Sequence, residues 1–167
     1  MRKTLIYFIS IIFFGAICFS CTSECYVSTE ATLGISFLDS TTYKAKKISN
    51  LKVMGVLNDS ILYNNATVSA IYLPLRSNDT NTNYRLILPT KTEGKETPDT
   101  IFLHIDHTPK PQLISEECGC AMYHELHNAK LVNNTYNFKI QVTNQNVQIS
   151  DLTVSKDDKE TNIKILH

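Results

Sequence analysis

The chain has 167 residues, with sixteen Lys/Arg against sixteen Asp/Glu and 43% hydrophobic residues. That is enough apolar material for one core, and the charge is too balanced to offer nucleic acid a basic face. Only five glycines and five prolines, among many Thr, Asn, Val, Ile and Tyr, argue against a low-complexity chain and favour strands joined by Asn/Asp turns. No segment sustains a 3.6-residue apolar period, so a helical bundle is excluded as the expectation.

The N-terminus has the layout of a secretory leader: Arg2 and Lys3 form a positive start, residues 5–14 are apolar, and small or moderately apolar residues follow up to Cys18 and Cys21. The apolar run is about 10 to 15 residues, short of the roughly 20 that span a bilayer as a helix. Cys21 follows the small Ser20, whereas Cys18 follows the bulky Ile17, so Cys21 is the expected lipidated first residue of a mature bacterial lipoprotein. The division expected is a lipoprotein signal peptide over residues 1–20, a lipidated Cys21 with a short tether over 21–28, and one domain over 29–167. Losing Arg2 and Lys3 leaves 14 basic against 16 acidic residues, a net charge of about −2.

The body reads as strands. Leu33, Ile35 and Phe37 alternate with Thr32, Ser36 and Leu38, the pattern of a half-buried strand. Lys44, Lys46 and Lys47 mark an exposed connection before Leu51, Val53 and Val56, and Asn58-Asp59-Ser60 predicts a tight turn into residues 61–63. Val68, Ile71, Leu73 and Leu75 follow, and Pro74, which lacks a backbone donor, places that run at a sheet edge. Residues 78–83 read as a polar turn, Tyr84, Leu86 and Leu88 resume the alternation, and residues 89–98 read as a loop. Ile101, Leu103 and Ile105 make the central strand candidate. Tyr136, Phe138, Ile140 and Val142 alternate with polar neighbours, residues 144–146 turn the chain, residues 147–154 return, and Ile163 and Ile165 close it. Short strands at spacings near ten residues predict an all-β, antiparallel two-sheet sandwich of immunoglobulin-like type.

The unusual chemistry gathers in residues 101–126, where an alternating strand leads through Pro109 and Pro111 into Cys118-Gly119-Cys120, with His104, His107, His124 and His127 close by. In an oxidising compartment Cys25, Cys118 and Cys120 are the disulfide candidates. A bridge from Cys25 to Cys118 or Cys120 would close a loop of roughly 90 residues, worth about 4 to 5 kcal/mol in the chain-entropy model. A Cys118 to Cys120 bridge across Gly119 would be strained and easily reduced. The His104-x-x-His107 and His124-x-x-His127 spacings raise a zinc or copper site as the alternative, because imidazole and thiolate both bind those ions. On strands, however, residues three apart face opposite sides. His124-Glu125-Leu126-His127 is also one residue short of the H-E-x-x-H motif. Solvated or strand-end histidines are therefore the expectation, with no cofactor implied. No G-x-S-x-G elbow or phosphate-binding glycine loop is present, and Ser115-Glu116-Glu117 reads as a polar strand end. A Cys118 or Cys120 nucleophile with His124 as base is conceivable and has no motif behind it.

The leader, the Ile71-Tyr72-Leu73-Pro74-Leu75 run, the Ile114-Ser115-Glu116-Glu117-Cys118-Gly119 segment and the closing residues 163–166 together resemble an uncharacterised family of Bacteroidota lipoproteins of unknown function. That resemblance implies a cell-envelope location, most simply the outer membrane on its periplasmic or surface face, and it carries over no active site. The sequence therefore supports a membrane-anchored binding or structural module that is not an enzyme, with an envelope protein or glycan as partner. A metal-binding or redox protein using the histidines and cysteines of residues 104–127 is the alternative.

Overall fold

The computed structural model describes residues 31–92, 95–115, 119–147 and 161–167. Its strands are β1 (Thr32–Leu38), β2 (Ile48–Gly55), β3 (Ile61–Val68), β4 (Ala70–Pro74), β5 (Asn81–Thr92), β6 (Lys95–Ser115), β7 (Gly119–Val132), β8 (Lys139–Val142), β9 (Asn146–Val147) and β10 (Ile163–Leu166). No helix occurs among the described residues. Two sheets hold these strands, in the orders β4-β1-β10-β8 and β3-β2-β5-β6-β7-β9, and one of them curls into a half-barrel.

The alternation read from the sequence decides what is buried. Leu33, Ile35 and Phe37 of β1, Leu51 and Val53 of β2, Tyr84, Leu86 and Leu88 of β5, and Ile101, Leu103 and Ile105 of β6 all face one shared core. Ile163 and Ile165 of β10 join it from the smaller sheet, with the partly buried Tyr136, Phe138 and Ile140 packed alongside. Because side chains on a strand alternate between faces, each apolar file must meet another across the two sheets, and the core lies between them. Pro74 ends β4, which is an edge strand as expected. Asn58 Oδ1 accepts from the Ser60 N–H at 3.2 Å and its hydroxyl at 2.9 Å, closing the expected turn with Asp59 in the left-handed region at φ 51°.

Four expectations need correction. The smaller sheet is not antiparallel throughout, because β1 and β10 pair in parallel, Ile35 beside Ile163 and Phe37 beside Ile165. Alternation fixes which side chains point inward and is silent on direction, and no hairpin constrains two strands this far apart in the chain. Asn162 secures the junction: its Oδ1 accepts from Gly34 N–H at 3.1 Å and its Nδ2 donates to Asn146 O at 2.9 Å.

Residues 89–92 and 95–98 are strand and not loop. They continue the β5–β6 hairpin, with Pro89 opposite Pro98. Neither proline interrupts a third strand, since the pairing of β2 with β5 stops at Ile87 and that of β7 with β6 at Phe102. The apparent single run through residue 68 and Leu75 is two strands in different sheets, separated by Ser69 alone. Finally, residues 136–138 precede β8, so the closing strand is shorter than its alternation implied, and residues 148–154 of the expected return lie outside the described residues.

The register gives the molecule two distinct ends. Thr32 pairs with Pro74, and Gly55 with Tyr84, so the entry of the chain, the β2–β3 turn and the start of β5 lie together at what we term the tether end. The 39–47 connection and the tip of the β5–β6 hairpin lie at the other, distal end. β6, at 21 residues, runs past both.

Candidate functional site

The four histidines separate as strand geometry requires, then two of them meet. His104 faces outward from β6 and its Nδ1 lies 2.6 Å from Asn83 Oδ1 on the paired strand. His127 is exposed, with Nε2 2.6 Å from Thr108 Oγ1. His107 and His124 are buried, at 0% and 1% exposure, which corrects the expectation of solvated or strand-end rings. Their Nδ1 atoms are 3.1 Å apart and their rings meet edge to face with centroids at 4.8 Å.

A β-bulge makes this possible. Asp106 pairs with Asn128 but His107 with Leu126, leaving His127 as the extra residue. Before the bulge Leu131 and Ala129 face the core; after it the frame moves by one and Leu126 and His124 face it instead. The spacing between buried Leu126 and buried Ala129 is the trace of that insertion in the sequence.

Thr82 completes the chain of hydrogen bonds and was missed by motif reading, although it continues the inward file of Tyr84 and Leu86. Its Oγ1 accepts from the Arg76 N–H at 3.1 Å and lies 2.8 Å from His107 Nε2. Two placements of protons satisfy every link: the Thr82 hydroxyl donates to His107 Nε2 and His107 Nδ1–H to His124 Nδ1, or His124 Nδ1–H donates to His107 Nδ1 and His107 Nε2–H to Thr82 Oγ1. Burial, reinforced by the neighbouring His124, lowers the pKa of His107 to about 4. Burial alone lowers that of His124. With both rings charged, two N–H groups would face each other across 3.1 Å, so the pair is built to be neutral.

For the metal alternative, the structure unites two imidazoles. Among the described residues no group of three or more His, Cys, Asp or Glu is placed to hold an ion. Cys120 is an exposed free thiol on β7, opposite Leu113 and away from the histidine pair. Cys21, Cys25 and Cys118 lie outside the described residues, as do Glu116 and Glu117.

A second candidate lies toward the distal end, where the β5–β6 hairpin outruns β2. There an open groove of about 560 Å³ is lined by Asn50, Lys52, Asn65, Ile87, Pro89 and Pro98, among others. Asn50 and Asn65 both adopt left-handed backbone, at φ 55° and 49°, where β2 and β3 slip in register on either side of Leu51. Asparagine tolerates that conformation better than branched residues. The groove therefore sets two exposed amides, able to donate and accept, and one ammonium beside an apolar floor.

No helix among the described residues is long and apolar enough to cross a membrane, which leaves membrane-crossing strands unaddressed. No curated protein and no solved structure matches the chain. A family profile does match, over residues 50–167, more than two thirds of the chain and including the bulge, the histidine pair, Thr82 and the distal groove. The chain belongs to the family of unknown function DUF6452.

Proposed function

We propose that this protein is a lipid-anchored module of the bacterial cell envelope, tethered through Cys21, that works by contacting a partner protein or glycan and not by catalysis. The observation that carries the contact reading is the distal groove. It is open, bordered by Asn50, Lys52 and Asn65, and lies at the end of the domain opposite the entry of the chain. Backbone amides or sugar hydroxyls would satisfy such a lining, and a groove framed by strand ends and a hairpin is where a sandwich has side chains to spare. We further read the two-sheet architecture as a sandwich variant, immunoglobulin-like in layering, with the parallel β1–β10 pair as its departure.

Anchoring is supported by the charged start, the apolar run and Ser20-Cys21. Cys21→Ala should abolish palmitate labelling and release the protein from the membrane fraction. A variant that stays labelled and membrane-bound would refute the assignment.

A further inference from the structure

We infer that the 39–47 connection is a binding element for an acidic glycan, with the ring of Tyr43 lying on a sugar face and Lys44 and Lys47 taking the carboxylate or phosphate groups of the polymer. This rests on the contact reading of the distal end given above, and gives the partner a chemical class. Seven described residues have positive φ; five are Asn or Asp and one is Gly119, types that tolerate left-handed backbone. The seventh is Tyr43, at φ 56°. A bulky side chain adopts that conformation at a cost, and such cost collects where function demands it. Folding gains nothing from it here. Tyr43 is 63% exposed, and neither a ring contact nor a hydroxyl hydrogen bond joins its side chain to another described residue.

The turn that carries the ring is tied down. Asp39 Oδ1 accepts from the Thr41 and Thr42 N–H groups at 3.0 and 2.9 Å and from the Thr42 hydroxyl at 3.1 Å. The Tyr43 N–H donates to Asp39 O and the Asp39 N–H to Lys44 O, both at 2.9 Å. A ring presented on a fixed turn loses little freedom on binding. Asp39 Oδ2 also pairs with Lys46 at 3.1 Å, so the one acid of the connection is already engaged. Lys44 and Lys47 are exposed and have no ion pair among the described residues. Lys47 directly precedes β2, whose Asn50 and Lys52 line the groove, so the uncompensated charge of the connection adjoins that of the groove and suits an anion. The surroundings favour a glycan over a protein. A protein interface gathers several large apolar side chains at its centre, and of the seven exposed among the described residues only Tyr43 belongs to the connection or the groove. The rest of both is the Thr41 and Thr42 hydroxyls, the Asn50 and Asn65 amides and ammonium groups beside an apolar floor. A sugar ring presents the hydrogens of one face to an aromatic ring, its hydroxyls to amides, and its acidic substituents to ammonium groups.

The full chain in non-ionic detergent would be titrated with oligogalacturonate, which carries carboxylates, and phosphomannan, which carries phosphates, against polyglutamate and neutral dextran. At least one acidic glycan should bind about tenfold or more tightly than polyglutamate and dextran, and the preference between the two identifies the acidic group. Tyr43→Asn, a residue suited to that backbone, should weaken the binding by about tenfold with a melting temperature at or above wild type. Tyr43→Trp keeps an aromatic face and should bind nearly as tightly as wild type; the chain has no tryptophan of its own, so the emission of this variant should shift on saturation. Lys44→Gln/Lys47→Gln should weaken binding several-fold and flatten its salt dependence. Polyglutamate binding as tightly as either glycan would show that charge alone is recognised and would overturn the inference, as would a lower melting temperature in Tyr43→Asn, which would give the ring a structural role. If neither glycan binds while Lys52→Glu depletes cellular cross-linking to a partner, the glycan is overturned and the contact reading stands. If the cross-link is also indifferent to Lys52→Glu, both fall.

Discussion

β6 extends into two overhanging arms, and their contrast assigns the two ends different work. The distal arm pairs Pro89 with Pro98 and continues in Thr, Lys and Glu, flanking a groove with two asparagines and a lysine. The tether-end arm instead continues the apolar file of the core, ending in Pro111 and Leu113. The groove beside the distal arm thus presents amides and charge, whereas the other arm presents hydrocarbon. An exposed polar groove stays open in water, whereas an exposed apolar file favours being covered.

The largest expected effect is a covalent one at the tether end. Cys120 is exposed on the overhanging arm, and Cys25 lies six residues before Ala31, which enters at that same end. Peptide mapping of non-reduced protein isolated from the envelope is expected to find Cys25 joined to Cys118 or Cys120, with reduction lowering stability by about 4 kcal/mol on the loop-closure estimate. Finding every thiol free and the melting temperature unchanged by reductant would remove the bridge.

Next in size is the boundary between arm and core, where His124 separates buried from exposed parts of one file. His124→Ala leaves a cavity and an unpaired His107 Nδ1, at a cost of about 2 to 4 kcal/mol read by chemical denaturation. The pair also predicts acid sensitivity. Burial holds the folded pKa of both rings below the unfolded value near 6.5, to about 4 for His107. The unfolded chain therefore binds protons first as pH falls, so this contribution is complete above pH 6.5 and is lost on descent toward about 4. The double variant His107→Leu/His124→Phe should flatten the melting-temperature profile across that window. A profile identical to wild type would show that the pair does not couple to pH, and a fall in wild-type melting temperature with a chelator would favour the metal alternative.

Much of the fold was legible because alternation is a local signal. Leu33, Ile35 and Phe37, or Ile101, Leu103 and Ile105, specify inward faces whatever their neighbours do. The parallel β1–β10 pair was not legible, since strand direction depends on partners far away in the chain. The histidine pair was half legible. That residues 104 and 107 face opposite ways follows from the period of a strand, but the meeting of His107 with His124 requires the bulge at His127, which shifts one strand of the hairpin by a residue. The distal groove was hidden for a different reason: Pro, Lys, Thr, Glu and Gly over residues 89–98 carry loop chemistry, and only the continued register with the partner strand extends them into a hairpin.

The smallest effect expected is at the groove itself, and it tests the contrast most directly. Lys52 is half-buried on β2, opposite Ile87, with its charge set between Asn50 and Asn65. Lys52→Glu reverses that charge without emptying the core, since buried Leu51 and Val53 face the other way. Rim charges of this type typically contribute around 1 kcal/mol or less and act mainly on association rate. In cells, cross-linking of the tagged protein to its partner should fall several-fold for Lys52→Glu, while membrane attachment and melting temperature stay at wild-type values, and should fall further when Asn65→Ala is added. Asn65→Gly, which keeps the left-handed backbone accessible and removes only the amide, separates loss of a contact from loss of local geometry. If Leu57→Ser at the tether end depletes the same cross-link while Lys52→Glu does not, the partner binds at the tether end and the roles assigned to the two arms are reversed.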